Sequence, residues 1–568
     1  MNGRWRSRRT LATLVITGSI YSAVLTCAAL SGQADGDGGV DNQGGGSQFL
    51  LKGVRPTRPS TIGLFIRDND AAIVLGKALF WDTQAGSDGR QACASCHFNA
   101  GSDNRSTNVL NAGHNGRFDV SAGGHAGPNT TMTADDFPFH RLADGNDNAS
   151  TVTFDTDDVY GSQGVFLRSF NFVGGTAIDN CTDQPDAVFN VDGHNVRRVT
   201  GRQASTTINA AFNFRNFWDG RAREFFNGVN PGGQTDPSAR IYRTINGVLT
   251  PVAVLIDHGS AASQATGPTL NGTEMSCDGR TWPNVGRKLL LLTPLADQEV
   301  STTDSVLGSI VGPDGKGLTT SYAALIRTAF QPDLWESNAT VSIGGTEFSQ
   351  MEANFSLFWG LAIQAYESTL ISDDAPIDRY LSGSPAALSD DAIAGLALFQ
   401  GQARCVQCHN GPTLSEAIKS GGHSFVNIGV RPTSEDTGDV VQTGQGRFKV
   451  PTLRNVELLG PYYHNGGQAT LRQVIDFYNR GGDFPDGNTD SQIRPLGLSE
   501  AQKHSLVSFL LSLTDDRVRY QQAPFDHPAL CLPGATGDGV AGSCLVAIGA
   551  AGSATPIGTF LGLDPYQK

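Results

Sequence analysis

The sequence predicts a mainly α fold with extensive coil, organised as two related units in one chain of 568 residues. Three observations carry this. Apolar residues recur with a helical period in several separated stretches, between long segments rich in Gly, Asn, Asp and Thr. One pentapeptide pattern occurs twice, as Cys93-Ala94-Ser95-Cys96-His97 and as Cys405-Val406-Gln407-Cys408-His409. Each copy follows a similar apolar lead-in, Leu75-Gly76-Lys77-Ala78-Leu79-Phe80 and Gly395-Leu396-Ala397-Leu398-Phe399-Gln400-Gly401, as a duplicated unit would.

C-x-x-C-H is the attachment pattern of a c-type haem. Two thiols at this spacing can add to the two vinyl groups of one porphyrin. The next residue then lies under the ring, where its imidazole becomes the proximal iron ligand. A single copy could also be a redox dithiol, half a zinc site or a disulfide. The duplication favours haem, as no βαβ pattern surrounds either copy and no second C-x-x-C stands close enough to complete a zinc site. The expectation is two covalently bound haems in two cytochrome c-like haem domains. Cys93, Cys96 and His97 hold the first, and Cys405, Cys408 and His409 the second.

In chain order, residues 1–34 read as a signal peptide, with Arg4, Arg6, Arg8 and Arg9 before an apolar run from about Leu11 to Leu30. The twin-arginine likeness of Arg8-Arg9 is discounted, because haem is joined to the apo-chain after export, which suits an unfolded-chain route. Removing the segment takes four arginines and no acid, so the formal charge moves from −14 to −18. Such a surface argues against nucleic acid and anionic membranes and would steer a basic partner protein. The expected product is exported to the periplasm, with no membrane insertion after signal removal. Cys27 leaves with the signal and four cysteines bind haem, leaving Cys181, Cys277, Cys531 and Cys544. In an oxidising compartment these read as two disulfides, Cys531 with Cys544 as the local pair and Cys181 with Cys277; four free thiols are the alternative.

Residues 35–60 form a Gly-rich leader, 61–385 the N-terminal haem domain with loop insertions, 386–530 the C-terminal haem domain and 531–568 a Gly-rich tail. Helices are expected over 70–80, 209–226, 282–293, 350–370, 389–399 and 499–513, with Ser389 and Ser499 as N-caps. Residues 101–200 should be long ordered loops. Within them, Asp144-Gly145-Asn146-Asp147-Asn148-Ala149 has Ala where a calcium loop needs Gly, and reads as a solvated loop.

Three further stretches stand in a fixed order with the two pentapeptides. They are Asn209-Ala210-Ala211-Phe212 leading to Phe217-Trp218-Asp219-Gly220-Arg221-Ala222; 264–275, from Gln264 through Gly267-Pro268-Thr269-Leu270-Asn271-Gly272 to Glu274-Met275; and 448–455, Phe448-Lys449-Val450-Pro451-Thr452-Leu453-Arg454-Asn455, followed by Pro461-Tyr462-Tyr463-His464-Asn465-Gly466. With them the chain, from about 61 to 530, resembles the bacterial di-haem cytochrome c peroxidase/MauG family.

The resemblance implies an open iron over His97, where Glu274 moves a proton between the two oxygens of hydrogen peroxide, ten residues after a distal Gln264. Glu299 is the nearby rival. It implies that Trp218 lies between the haems and relays electrons, while Asp219 and Arg221 fix the loop. It places Tyr463, with Tyr462 as neighbour, where cytochrome c peroxidases have Met on the second iron. A thioether favours Fe(II), whereas a phenolate favours Fe(III) and can support Fe(IV). The family's calcium ion between the haems would meet Gln203 where the family has Asn, so a calcium ion is expected less firmly than the haems. The function implied is a MauG-like enzyme that shares oxidising equivalents between both irons and oxidises an unidentified substrate or electron donor. The alternatives are a cytochrome c peroxidase fed by a small cytochrome, a di-haem electron-transfer protein without enzyme activity, and, more distantly, an oxygenase acting on a hydrophobic polymer.

Overall fold

Helix α1 (Asn69–Trp81) starts where the Asp68 carboxylate accepts the Ala71 N–H, and it buries its whole second half, from Leu75 to Trp81. The computed structural model describes residues 47–441, 443–534 and 541–568, so the signal peptide and most of the Gly-rich leader lie outside the described residues. After α1 come α2 (Ala94–His97), α3 (Ser260–Ala265), α4 (Trp282–Leu289), α5 (Tyr322–Ala329), α6 (Gln350–Ala353) and α7 (Phe355–Glu367). Then follow α8 (Pro376–Leu381), α9 (Asp390–Gln400), α10 (Leu471–Arg480) and α11 (Glu500–Leu511).

Two apolar cores organise these helices. α1, α3 and α5 pack on or around α7 in the first, and α9, α10 and α11 form the second, which also takes Phe49 and Ala375. The duplicated lead-ins explain themselves here. A Cβ on Gly76 of α1 would lie 1.9 Å from the Ala362 carbonyl of α7, and one on Gly395 of α9 would lie 2.0 Å from the Ser505 carbonyl of α11. Four residues on, Phe80 meets Tyr366 at 5.5 Å and Phe399 meets Phe509 at 5.0 Å, each aromatic again four residues past the touched carbonyl. Each unit therefore repeats one helix crossing: a glycine that admits the partner backbone, then an aromatic pair one turn away. Gly395→Ala should force α9 and α11 apart. A loss of about 1–3 kcal/mol, the usual cost of overpacking, is expected in chemical denaturation.

The expected helices at 282–293, 389–399 and 499–513 are present within a few residues, with Ser389 and Ser499 accepting from Ala392 and Gln502 as N-caps. The expected helix over 350–370 is broken at Asn354. Its side chain accepts the Tyr242 N–H and donates to the Tyr242 and Leu334 carbonyls, replacing helical partners. The expected helix over 209–226 does not form. Only Ala210–Phe212 makes a 3₁₀ turn, between left-handed Asn209 and Phe217 at φ +63° and +60°. Asn213 bonds Asn216 and Asp219 accepts the Arg221 N–H, so short polar side chains fold the segment into turns.

Residues 101–200 hold four short antiparallel ribbons rather than loops alone, pairing Leu110–Asn111 with Val159–Tyr160, His140–Leu142 with Val152–Asp155, Arg168–Phe172 with Asn180–Asp183, and Asn190–Val191 with His194–Asn195. The Asp144 loop packs on the second unit. Gly145 O and Asn146 Oδ1 accept from Arg480 and Lys503 of that unit. Both expected disulfides, Cys181–Cys277 and Cys531–Cys544, are formed. In the tail, Phe560 is buried against Phe137 and Tyr160, and Tyr566 stacks on His504 of α11. No helix among the described residues is long and apolar enough to cross a membrane.

Candidate active site

The first pentapeptide coils into α2, with Cys93 at its N-cap and His97 closing it. The tight turn that follows brings the Gly101 carbonyl to 2.9 Å from His97 Nδ1. In the second pentapeptide the Leu414 carbonyl lies 3.1 Å from His409 Nδ1. A carbonyl only accepts, so Nδ1 carries the proton in both rings and Nε2 is left bare as the ligand atom. Burial pushes both imidazoles below their ordinary range, His409 to about 4, which keeps them neutral.

The four motif cysteines are free thiols, while the remaining four of the described cysteines are all disulfide-bonded. Burial holds the motif thiols up, to about 12 for Cys96, Cys405 and Cys408. A redox dithiol would instead sit in surroundings that lower its pKa. With both thiols of each motif outside the disulfides and a histidine next in sequence, both motifs fit covalent haem.

Each motif opens into a cavity. The first, about 430 Å³, is bordered by Cys93, Cys96, His97, Trp218, Gln264 and Glu274. The structure thus brings Gln264, on α3, and Glu274, on the loop after it, to the same iron-facing space. Burial raises the Glu274 carboxyl above its usual range, and the Arg221 charge partly offsets this. Arg221 is itself held within its loop. Its guanidinium lies 3.9 Å from the Phe217 ring centroid and 2.7 Å from Asp219. Glu299 is exposed and borders neither cavity.

The second cavity, about 190 Å³, is bordered by Cys405, Cys408, His409 and the three tyrosines Tyr462, Tyr463 and Tyr478. Trp218 borders both cavities. Its indole N–H donates to the Gln203 carbonyl at 2.8 Å, and Lys449 Nζ lies 5.8 Å from its ring. The Gln203 amide donates to Ser102 at 3.0 Å.

Tyr463 borders the second cavity with its ring 4.9 Å from that of Phe477, and its buried hydroxyl has no hydrogen-bond partner. Tyr478 borders the same cavity, and its phenol pKa is raised by burial first and then by the Cys408 and Cys405 thiols. The signal was in the sequence: after the N-cap Thr470, Leu471, Val474, Ile475 and Tyr478 follow the i, i+3, i+4, i+7 stripe of α10, and all four border this cavity. The described methionines, Met132, Met275 and Met351, do not border it. Glu367 of α7 is a second residue the sequence reading missed. It borders the first cavity with Oε2 unpartnered, and burial pushes its carboxyl to about 8.

Parts of the chain match known proteins. A 36% identical stretch of 211 residues matches the cytochrome-c peroxidase IdrP1 of Denitromonas iodatirespirans, covering 30% of this chain and 52% of that one. The cytochrome c551 peroxidase of Nitrosomonas europaea matches at 38% over 165 residues, 28% of this chain and 44% of the relative. The methylamine utilization protein MauG of Methylorubrum extorquens matches at 33% over 158 residues, 27% and 42% of the two chains. The chain thus spans about half the length of these relatives. A crystal structure of a MauG-like protein associated with microbial copper homeostasis aligns over 86% of this chain and 98% of its own, at 17% identity and a TM-score of 0.45. The family model described as di-haem cytochrome c peroxidase matches residues 70–386, more than half of the chain. The chain belongs to the di-haem cytochrome c peroxidase family.

Proposed function

We propose that this protein is a periplasmic di-haem enzyme that reacts with hydrogen peroxide over His97 and spends the oxidising equivalents on a separate donor or protein substrate, in the manner of MauG. The observation that carries the reading is that Glu274, Gln264 and His97 border one cavity while Trp218 borders both. When bound, the haems supply the redox chemistry: peroxide reduction at the first, and storage of an oxidising equivalent on both irons.

The chain's own residues do the rest. The Gln264 amide orients the peroxide. A Glu274 carboxylate oxygen would take a proton from one peroxide oxygen and return it to the other, which would favour heterolytic breaking of the O–O bond. A raised carboxyl pKa suits a group that must both accept and release that proton near neutral pH. His97 and His409 would hold the two irons, and Tyr463, whose buried hydroxyl has no partner beside the second cavity, would be the other protein ligand of the second. Its phenol would need the iron's charge to ionise, since burial pushes its pKa up. The indole of Trp218 carries the electron between the sites. Two disulfides fit an oxidising compartment.

A peroxidase fed by a small cytochrome is less well supported, because the described methionines offer no thioether to the second iron. Stopped-flow visible and near-infrared spectra after mixing the resting protein with peroxide test the reading. The wild type should change at both haems together. Trp218→Phe should change first at the N-terminal haem, with the second lagging. A wild type that is inert to peroxide, or a Trp218→Phe indistinguishable from it, would count against the reading or the relay respectively.

A further inference from the structure

Asp119, Asp157 and Asp158 lie outside both cavities, in the 101–200 segment, and carboxylate oxygens of all three come within 4.8 Å of one another. Most buried acids of this chain have a cation. Asp88 pairs with Arg197, Asp179 with Arg280 and Lys288, and Asp378 with Arg454. Asp158 has none, although it is only 3% exposed. Its Oδ2 accepts the Asp119 N–H at 3.1 Å, while its Oδ1 is buried without any partner. Burial, and then the charges of Asp119 and Asp157, push its carboxyl up to about 8. An unpartnered, enclosed carboxylate facing two more acids is a costly arrangement unless a cation completes it.

The other two acids are held in place by neighbours. Thr156 Oγ1 donates to Asp119 Oδ2 at 2.8 Å, and Asn115 donates to both oxygens of Asp157, from its backbone at 2.8 Å and its amide at 2.7 Å. The donor set is all oxygen, which selects a hard cation. Calcium binds oxygens at about 2.3–2.6 Å, so ligands on opposite sides of it stand roughly 4.6–5.2 Å apart. Magnesium demands a smaller, near-ideal octahedron and keeps most of its water. Asp119 and Asp157 are only partly buried, which leaves an ion a way in.

We propose that Asp119, Asp157 and Asp158 form a calcium site that ties the 113–119 segment to the 156–160 segment. The ion would have a structural consequence at the second haem. Two residues past Asp158, the Tyr160 N–H donates to the Asn465 carbonyl at 2.9 Å, and a Cβ on Gly466 would meet the Tyr160 side chain at 2.6 Å. The site thus anchors a strand that supports the turn carrying Tyr463 and His464. Its three acids do not include Gln203, the position at which the family resemblance would put a calcium ion.

The test uses the di-haem protein stripped with EDTA and titrated with CaCl₂, with MgCl₂ in parallel, by calorimetry and thermal unfolding. Wild type should bind calcium in preference to magnesium and melt higher with it. Asp157→Asn/Asp158→Asn should bind one calcium equivalent fewer. Asp119→Asn alone should weaken that equivalent by at least about 10–100-fold, the cost of losing even an outer-shell partner of a metal. A crossover should separate ion binding from simple packing. In EDTA the double variant should melt above wild type, because the like charges are gone, and in CaCl₂ below it. Equal calcium stoichiometry in wild type and the double variant would overturn the proposal. So would a wild type whose unfolding is the same in EDTA and in CaCl₂.

Discussion

Glu274→Gln should slow the reaction with hydrogen peroxide by roughly 10²–10⁴-fold, the usual contribution of a positioned acid–base group. The substitution keeps the side-chain shape and removes the proton carrier, so the resting spectra of both haems should barely change. The pH dependence gives a second readout. The carboxylate must be ionised to accept the first proton, and burial raises its pKa. The wild-type rate should therefore fall as pH drops through that raised value, and the Gln variant should lose this limb. Stability should move the other way. A carboxyl whose folded pKa is raised binds protons more tightly in the folded state, so ionising it costs stability as pH rises from its unfolded value through the folded one. Above that window Glu274→Gln should melt no lower than wild type, and may be compared directly by calorimetry. An unaltered peroxide rate would remove Glu274 from the chemistry. The role would not pass to Glu299, which is exposed and borders neither cavity.

Tyr463→Met should raise the potential of the second haem by a few hundred millivolts, a fraction of the roughly 0.8 V that axial ligands span. Replacing a hard anionic phenolate by a soft thioether favours Fe(II) over the more oxidised states. The variant should still react with peroxide at the first haem, since Glu274, Gln264 and His97 border the other cavity. It should lose the long-lived oxidised state shared by both haems. Tyr478→Phe and Tyr462→Phe serve as controls and should leave the potential close to wild type, because the proposed ligand is Tyr463. Spectroelectrochemical titration of the variants decides between them. A shift on Tyr478→Phe with none on Tyr463→Met would move the ligand to Tyr478.

The parts of the site that the sequence made legible were those where chemistry demands contiguity. Cys93, Cys96 and His97 must be neighbours to hold one porphyrin edge and its iron, and the ten-residue step from Gln264 to Glu274 spans one short helix end and its loop. The helices over 389–399 and 499–513 announced themselves through Ser caps followed by apolar stripes. The segment 209–226 did not, because its aromatics repeat at helical spacing while Asn213, Asn216 and Asp219 redirect the backbone into turns. Tyr478, on the apolar stripe of α10, was not singled out, because it meets Tyr463 at the second cavity from fifteen positions away in sequence. The Asp119, Asp157 and Asp158 cluster joins segments some forty residues apart, and local pattern gives no hint of that.

The central claim is that peroxide bound over one haem oxidises both, through Trp218. Mössbauer spectra of ⁵⁷Fe-enriched protein, frozen shortly after one equivalent of peroxide, test it most directly. The account predicts two distinct iron sites, each one oxidation level above the resting ferric protein, with no lasting organic radical. One changed iron beside an unchanged ferric partner would contradict it.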